Sequence, residues 1–196
     1  MRYRGPAMTT PTTPSRRAAA LPPDERRSMI VAATLPLLLE HGERVTSRQI
    51  AEAAGIAEGT IFRAFHDKDE VIEAVIEAAL DQQSLEDAVD AIDDSQGFDD
   101  AVAAAIVILQ HRLIDIWRLL SSVGTRFHDR ARRPMTDSHA LVRLFERHRD
   151  RLTVEPVAAA RLLRALTLST THPMMAGEPM SPDEIRRLFL HGVAAC

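Results

Sequence analysis

The chain has 196 residues, of which 45% are hydrophobic and 27% are charged, and its formal net charge is -4 at pH 7. That length is enough for one unit of two packed helical domains with a substantial core. The single cysteine, Cys196, excludes an internal disulfide and a thiol-based metal site, so we expect a reducing cytoplasm as its location. No uncharged apolar run approaches the roughly 18 residues that span a bilayer, and we expect no membrane contact.

The first segment, residues 1–22, is rich in Pro, Thr and Arg and has no apolar periodicity, which predicts a disordered arm. Its four arginines, Arg2, Arg4, Arg16 and Arg17, suit either a minor-groove contact or a plain solvated tail. Residues 1–68 carry ten basic and seven acidic groups, whereas Asp69 to Asp100 carry twelve acidic groups and no basic one. The acidic run is either a phosphate-repelling face or merely a soluble helix and loop.

A first amphipathic helix is predicted over Pro23 to His41, closed by Gly42. Its expected inward face consists of Met29, Ala33, Pro36 and Leu37. A further amphipathic helix is predicted over Lys68 to Leu80, with an inward face of Val71, Ile72, Val75, Ile76 and Leu80. These two helices would pack against the segment that lies between them in the chain.

Between them lies a predicted pair of short helices. Thr46 to Gln49 has the form of a capping box, and the helix that it starts would bury Ile50, Ala53 and Ala54. Gly55 supplies the left-handed residue that ends that helix. A second helix over about Glu58 to Phe65 would bury Ile61 and Phe65 while Thr60, Phe62 and Arg63 point elsewhere.

Two short helices joined at a glycine are typical of a helix-turn-helix, whose second helix enters the major groove of DNA. An αα-hairpin that only forms core is the alternative. After Leu80 the pattern predicts helices from Phe98, over Met135 to Leu152, over Val154 to Thr171 and from Pro182 to Val193, with interruptions at Gly124, at Arg130 to Pro134 and at Gly177 to Pro182. The expected fold is all-α, with about nine helices.

The segment HGERVTSRQIAEAAGIAEGTIFRAFHDKDEVI, residues 41–72, resembles the TetR (tetracycline-repressor-like) family of bacterial transcriptional regulators. The matching motifs are T-S-x-x-I-A-x-x-A-G, G-T-I-F-x-x-F and the following K-x-x-V-I. The resemblance implies an N-terminal three-helix helix-turn-helix domain that binds DNA, a fourth helix that transmits movement, and a larger C-terminal ligand-binding and dimerisation domain. We place these domains at residues 23–68 and 69–196.

Carried over to this sequence, the resemblance places Thr46, Ser47 and Arg48 at the edge of the groove. It makes Glu58, Gly59, Thr60, Phe62 and Arg63 the face that reads DNA. Chemistry supports Arg48 independently, because an arginine can donate two parallel hydrogen bonds to guanine. Lys68 is expected either to contact phosphate or to be ordinarily solvated.

The chain departs from the family pattern at three positions. Ala57 stands where a Ser or Thr usually caps the recognition helix, so a cap worth roughly 1 kcal/mol is missing. Phe62 replaces a tyrosine and has no hydroxyl to donate to phosphate. Glu58 suits the helix dipole but repels phosphate, so it helps binding only by accepting from a cytosine amino group.

For the C-terminal half, the last two helices either form core only or pair with their copies in a homodimer. Candidates for the lining of a small-molecule cavity are Leu113, Trp117, Phe127, Phe145, Leu166 and Thr170, with Arg112, Arg118 or His111 as a polar anchor; packing alone is the alternative. No catalytic, metal-binding or phosphate-loop motif occurs, so we expect neither an enzyme nor a cofactor. The expected protein is a dimeric repressor that a small-molecule inducer releases from a palindromic DNA operator; the alternative is a constitutive or architectural DNA-binding protein without a ligand switch.

Overall fold

A computed structural model describes residues 22–127 and 136–193, and over these residues the chain is helical without a strand. The α-helices are α1 (Pro23–His41), α2 (Ser47–Ala53), α3 (Glu58–Ala64), α4 (Lys68–Leu80), α5 (Gln83–Asp90), α6 (Phe98–Ser122), α7 (His139–Arg147), α8 (Pro156–Thr171), α9 (Pro173–Ala176) and α10 (Pro182–Val193). Short 3-10 helices cover Gly42–Arg44, Thr125–Phe127 and Arg149–Arg151. The all-α prediction is confirmed, with ten helices in the described ranges where about nine were expected.

Several features named from the sequence lie outside the described residues. These are the predicted arm apart from Pro22, the predicted interruption at Arg130 to Pro134, and Cys196. Among the helices that the structure describes, none is both long and apolar enough to cross a membrane.

The buried side chains form two clusters, one in each half of the chain. The N-terminal cluster joins α1 to α4 and includes Ile30, Leu38, Ile50, Ile61 and Ile72. The C-terminal cluster joins α5, α6, α7, α8 and α10. Helix α6 belongs to both clusters, because its first half enters the C-terminal one and Leu119 near its end enters the N-terminal one. One continuous helix therefore connects the two halves.

The inward face of α1 differs from the prediction by about one residue. The buried positions are Ile30, Thr34 and Leu38, whereas Pro36 is exposed. Thr34 can be fully buried because its hydroxyl donates to the carbonyl of Ile30 at 2.7 Å. A pattern that counts threonine as polar therefore misplaces the face.

Three further expectations need correction. In α2, Ala51 is buried and Ala53 is exposed. Helix α7 is shorter than the predicted Met135 to Leu152, because the Ser138 hydroxyl caps its start by accepting from the backbone N–H of Leu141 at 3.2 Å. Helix α5 lies within the acidic run, where Leu85 and Val89 are four residues apart and buried.

Candidate nucleic-acid interface

The first helix of the helix-turn-helix begins with the predicted capping box. The Thr46 hydroxyl accepts from the Gln49 backbone N–H at 3.3 Å, and the Gln49 side chain accepts from the Thr46 backbone N–H at 2.9 Å. Two backbone donors that the helix cannot satisfy are thereby paired. The start of α2 is fixed at the protein surface, with Thr46 and Arg48 exposed and Ser47 half-buried.

The turn that follows is built on Gly55, which has a φ of +65°. The Ile56 N–H donates to the Ala51 carbonyl at 3.0 Å and closes the turn. Helix α3 then packs through Ile61, 1% exposed, and Phe65, 2% exposed. This buried pair sets which side of α3 is free, as the sequence predicted.

The free side of α3 carries the predicted reading residues. Thr60 is half-buried, Phe62 is 49% exposed, and the others are exposed: Glu58, Gly59 and Arg63. Arg48 and Arg63 make no hydrogen bond or ion pair with any described residue. A Cβ at Gly59 would meet nothing within 4 Å, so another molecule can approach the backbone there. The arrangement leaves two guanidinium groups and an open backbone position on one helix pair.

The orientation of α3 is held from α1 by Arg27, which the sequence analysis did not single out. Its guanidinium donates to the carbonyl of Ala64 and, at 2.9 Å, to Glu70 Oε1. It also lies 4.1 Å from the centre of the Phe65 ring. One side chain therefore joins α1, the end of α3 and the start of α4.

Glu70 is the acidic partner in this junction. Its other oxygen accepts from the His66 backbone N–H at 2.5 Å. The pKa of the Glu70 carboxyl is lowered, mainly by that backbone hydrogen bond and then by the one from Arg27. The carboxylate thus stays ionised and keeps the segment between α3 and α4 in place.

Lys68 has a role within the protein that neither expectation described. Its ammonium donates to the carbonyls of Glu43 at 2.7 Å and of Val45 at 3.1 Å. Two of its three N–H donors are therefore already used inside the protein. Lys68 therefore fixes the start of α4 to the segment that leads into α2. One N–H donor remains, so contact with phosphate stays a prediction.

The same segment contacts the end of α6. Gly42 has a φ of +60°, and a Cβ there would lie 2.4 Å from the carbonyl oxygen of Ser122. A Cβ on Gly124 would lie 1.8 Å from Glu43 Oε1. The long helix thus ends against the connection between α1 and α2, where only glycine permits such a close approach.

The six candidate ligand-lining residues lie in different packing environments. Phe145 is fully buried among Phe98 and Phe189 in the C-terminal cluster, whereas Phe127 belongs to the N-terminal cluster. The remaining four are half-buried: Leu113, Trp117, Leu166 and Thr170. Trp117 packs against the His172 ring with centres 4.5 Å apart. Phe127 and Phe145 thus lie in two different buried clusters, and a cavity shared with the other four stays a prediction.

A groove of about 420 Å³ lies elsewhere, between α1 and α4. Its lining is mainly aliphatic and includes Val31, Leu35 and Val75, with Arg27 and Ser28 at one end. Neither the predicted ligand-lining residues nor the predicted DNA-contacting residues line it.

Helices α8 and α10 each have a buried and an exposed apolar side. Ala159, Leu163, Ile185 and Phe189 are buried in the C-terminal cluster. In contrast, Leu162 is 47% exposed and Leu188 is 50% exposed. The two helices therefore present large apolar side chains to the outside, which packing within one chain does not use.

Comparison with known proteins agrees with this architecture. Residues 30–75 match the model of the family described as bacterial regulatory proteins, tetR family. No curated protein matches the chain. Among solved structures, the fold is similar to that of a TetR-family transcriptional regulator from Mesorhizobium loti, with a TM-score of 0.66 and 17% identity over 90% of this chain and 100% of that one.

Two further structures show how broadly this fold is used. SmeT, the repressor of the Stenotrophomonas maltophilia multidrug efflux pump SmeDEF, has a TM-score of 0.52 and 23% identity over 86% of this chain and 90% of its own. PfiT, described as a superantigen, has a TM-score of 0.57 and 19% identity over 89% of this chain and 98% of its own. At such identities the similarity shows the fold, and the function must be argued from the surface of this chain.

Proposed function

Because the helix-turn-helix of this chain belongs to the TetR family of bacterial regulatory proteins, we propose that the protein is a dimeric transcriptional regulator that covers a palindromic DNA operator. A small-molecule inducer, bound among the C-terminal helices, releases it. The observation that carries the proposal is the exposed pair of unpartnered guanidiniums, those of Arg48 and Arg63, on the helix-turn-helix.

The pairing of arginines differs along the chain. In the C-terminal half, five arginines are neutralised by carboxylates: Arg143 by Asp90, Arg147 by Asp94, Arg149 by Glu146, Arg161 by Asp137 and Arg186 by Asp183. Arg48 and Arg63 have no such partner among the described residues. A free guanidinium keeps its donors for phosphate oxygens or for the O6 and N7 edge of guanine. The reading face of the proposal is thus Thr46, Ser47, Arg48, Glu58, Gly59, Thr60, Phe62 and Arg63.

A dimer follows from the exposed apolar side of α8 and α10. Leu162 and Leu188 are half-exposed, and pairing these helices with their copies would bury both. A single short recognition helix also reads only a few base pairs, whereas two helices about one DNA turn apart read a palindrome with useful affinity.

We assign DNA binding to residues 23–68 and regulation to residues 69–196. The contacts of α6 with Gly42, and of α4 with Arg27 through Glu70, connect the two parts. Linkage requires that an inducer bind the DNA-free form more tightly than the DNA-bound form. The inducer acts by changing the spacing of the two recognition helices in the dimer.

The test begins with selection of genomic fragments by the purified protein, which yields an operator duplex. Fluorescence anisotropy then compares the wild type with Arg48→Ala and Arg63→Ala. Each variant should lose about 1 to 3 kcal/mol of specific binding. Arg149→Ala is the matched control, because it removes the same charge from an exposed arginine that pairs with Glu146 and Glu155.

Gly59→Ala separates the interface from the fold. The new methyl group meets no protein atom within 4 Å and removes a glycine from a helix, so the fold should be as stable or slightly more stable. Operator affinity should nevertheless fall, because the methyl group stands between the helix and DNA. If Arg48→Ala, Arg63→Ala and Gly59→Ala all bind the operator like Arg149→Ala, this face of α3 does not read DNA.

A further inference from the structure

Two arginines from different helices contact two segments that lie side by side: the connection between α4 and α5, and the segment before α7. Arg112 of α6 donates to the Ser84 hydroxyl at 2.7 Å and to the Asp81 carbonyl at 2.5 Å. Arg164 of α8 donates to the carbonyl of Thr136. Gln82 joins these two places, because its amide donates to the Asp137 carbonyl at 2.8 Å and its oxygen accepts from the Thr136 hydroxyl. Both guanidiniums therefore lie on one small surface.

Neither guanidinium of this pair forms an ion pair with a carboxylate in the described part of the chain. Arg112 and Arg164 are half-buried, and every acceptor that they contact is neutral. Burial lowers the pKa of the Arg112 guanidinium, Asp81 raises it, and the charge of Arg164 lowers it. Burial likewise lowers the pKa of Arg164, whereas the charges of Asp137 and Glu86 raise it.

The nearby carboxylates are engaged elsewhere. Asp137 accepts two hydrogen bonds from Arg161, at 2.8 and 2.6 Å. Glu86 accepts from the Ala140 backbone N–H at 2.6 Å and from Gln82 at 3.1 Å. The Asp81 carboxylate forms no ion pair with Arg112, although it lies close enough to influence its pKa. Two desolvated cations with spare donors are left beside one another.

We propose that Arg112 and Arg164 together bind the oxyanion head group, carboxylate or phosphate, of a small amphipathic effector. A guanidinium has five donors in a planar fork that matches such a head group, and these two use only three of their ten. A bound oxyanion would supply the missing counter-charge at a half-buried site, where ion pairing is stronger than in bulk water. The half-buried Leu113, Ile116 and Trp117 farther along α6 suit the apolar body of the effector.

The site also offers a way to act on DNA binding. Asp81 is the residue that ends α4, so Arg112 pairs with a carbonyl at the C-terminus of that helix. A bound oxyanion draws the Arg112 guanidinium away from that carbonyl and loosens this end of α4. The other end carries Lys68 and Glu70, which hold the helix-turn-helix. This step rests on the proposed function, whereas oxyanion binding itself does not.

Binding is tested on the full chain without DNA. The probes are octanoate, inorganic phosphate and, as an uncharged control, octan-1-ol, at constant ionic strength set with sodium chloride. The fluorescence of Trp117, the single tryptophan of the chain, and isothermal titration calorimetry report binding. Saturable binding of octanoate but not phosphate identifies a carboxylate with an apolar body, whereas the reverse identifies a phosphate group.

The variants Arg112→Gln and Arg164→Gln should weaken binding of the effective probe about tenfold or more. Arg149→Gln is the matched control, because it removes an exposed charge from the same half of the chain, at an arginine that pairs with Glu146 and Glu155. Arg164→Lys keeps the charge, loses the fork and should bind less tightly than the wild type, which provides a test if Arg164→Gln does not fold.

The proposal is overturned if the wild type binds neither anion saturably, if octan-1-ol binds as tightly as octanoate, or if the variants at Arg112 and Arg164 bind like Arg149→Gln. In the experiment with DNA, the probe that binds is added to the complex of the protein with the selected duplex, and we expect the protein to release the duplex. Binding without release overturns the α4 step alone. Failure to select any duplex overturns the proposed function and leaves the anion measurements standing.

Discussion

Replacing Gly42 with alanine tests the contact through which α6 meets the DNA-binding half. Gly42 has φ +60° and ψ -146°, and it ends α1 by donating from its N–H to the Leu38 carbonyl. The added Cβ would lie 2.4 Å from the Ser122 carbonyl oxygen. Cβ atoms essentially never approach another heavy atom more closely than 3.0 Å. Either the backbone of Gly42 or the end of α6 must shift.

The expected loss has two parts. At φ +60° and ψ -146° the backbone is in a region that an L-residue enters only at a cost of about 1 to 3 kcal/mol. Moving packed backbone groups apart costs about 1 to 3 kcal/mol. Alanine also lowers the conformational entropy of the unfolded chain, which offsets about 0.4 to 1 kcal/mol of the loss in stability. We expect Gly42→Ala to lower the free energy of unfolding by about 2 to 4 kcal/mol.

Urea denaturation followed by far-ultraviolet circular dichroism measures this loss, at one protein concentration because a dimer is expected. Gly55→Ala is the control: Gly55 also has a positive φ, +65°, but a Cβ there meets nothing within 4 Å. Both variants lower the entropy of the unfolded chain, and both place alanine at a positive φ. Only Gly42→Ala adds a close contact, so it should lose at least about 1 kcal/mol more of the free energy of unfolding. Equal losses would show that Ser122 does not press on Gly42.

Three further outcomes are expected. Thr46→Ala removes the capping box and should lower the free energy of unfolding by about 1 kcal/mol in the same urea assay, and an unchanged midpoint would contradict the cap. Leu162→Glu with Leu188→Glu should convert a dimer to a monomer in light scattering after gel filtration, whereas Leu39→Glu, on a leucine of similar exposure at 48%, should not; equal behaviour would place the dimer interface elsewhere. Because the pKa of Glu70 is lowered in the folded state, its stabilisation is present above the ordinary carboxyl pKa and is lost as the pH falls through the folded pKa. The wild type should therefore exceed Glu70→Gln in stability at pH 7 and converge with it in acid, and a gap that is constant with pH would contradict the role of this carboxylate.

Features set by neighbouring residues were predictable from the sequence. The bounds of α1 and α4 agree with prediction, because the signals that end and begin them are adjacent in the chain: Gly42 after α1, and Asp67, whose carboxylate accepts from the Glu70 N–H at 2.8 Å, before α4. The capping box at Thr46 and the turn at Gly55 are local in the same way. The TetR resemblance rests on these local motifs and is confirmed.

Features that depend on distant partners were not predictable. Lys68 could not be assigned to carbonyls 25 and 23 residues away, and Arg27 could not be assigned to partners 37 and 43 residues away. Helix α7 likewise begins where Glu86, 54 residues earlier, accepts from Ala140. Periodicity gives the side of a helix that is buried, but it does not give the other chain segment that covers it.

Helix α6 runs unbroken through 25 residues, a length of about 37 Å. Its first residues share the core of the regulatory half, and its last carbonyls press on the connection that leads into α2. The helix has no break between its two ends, so both ends belong to one packed element. Repacking around Val102 must therefore reach Gly42 as a displacement of comparable size, without any relay of side chains between them.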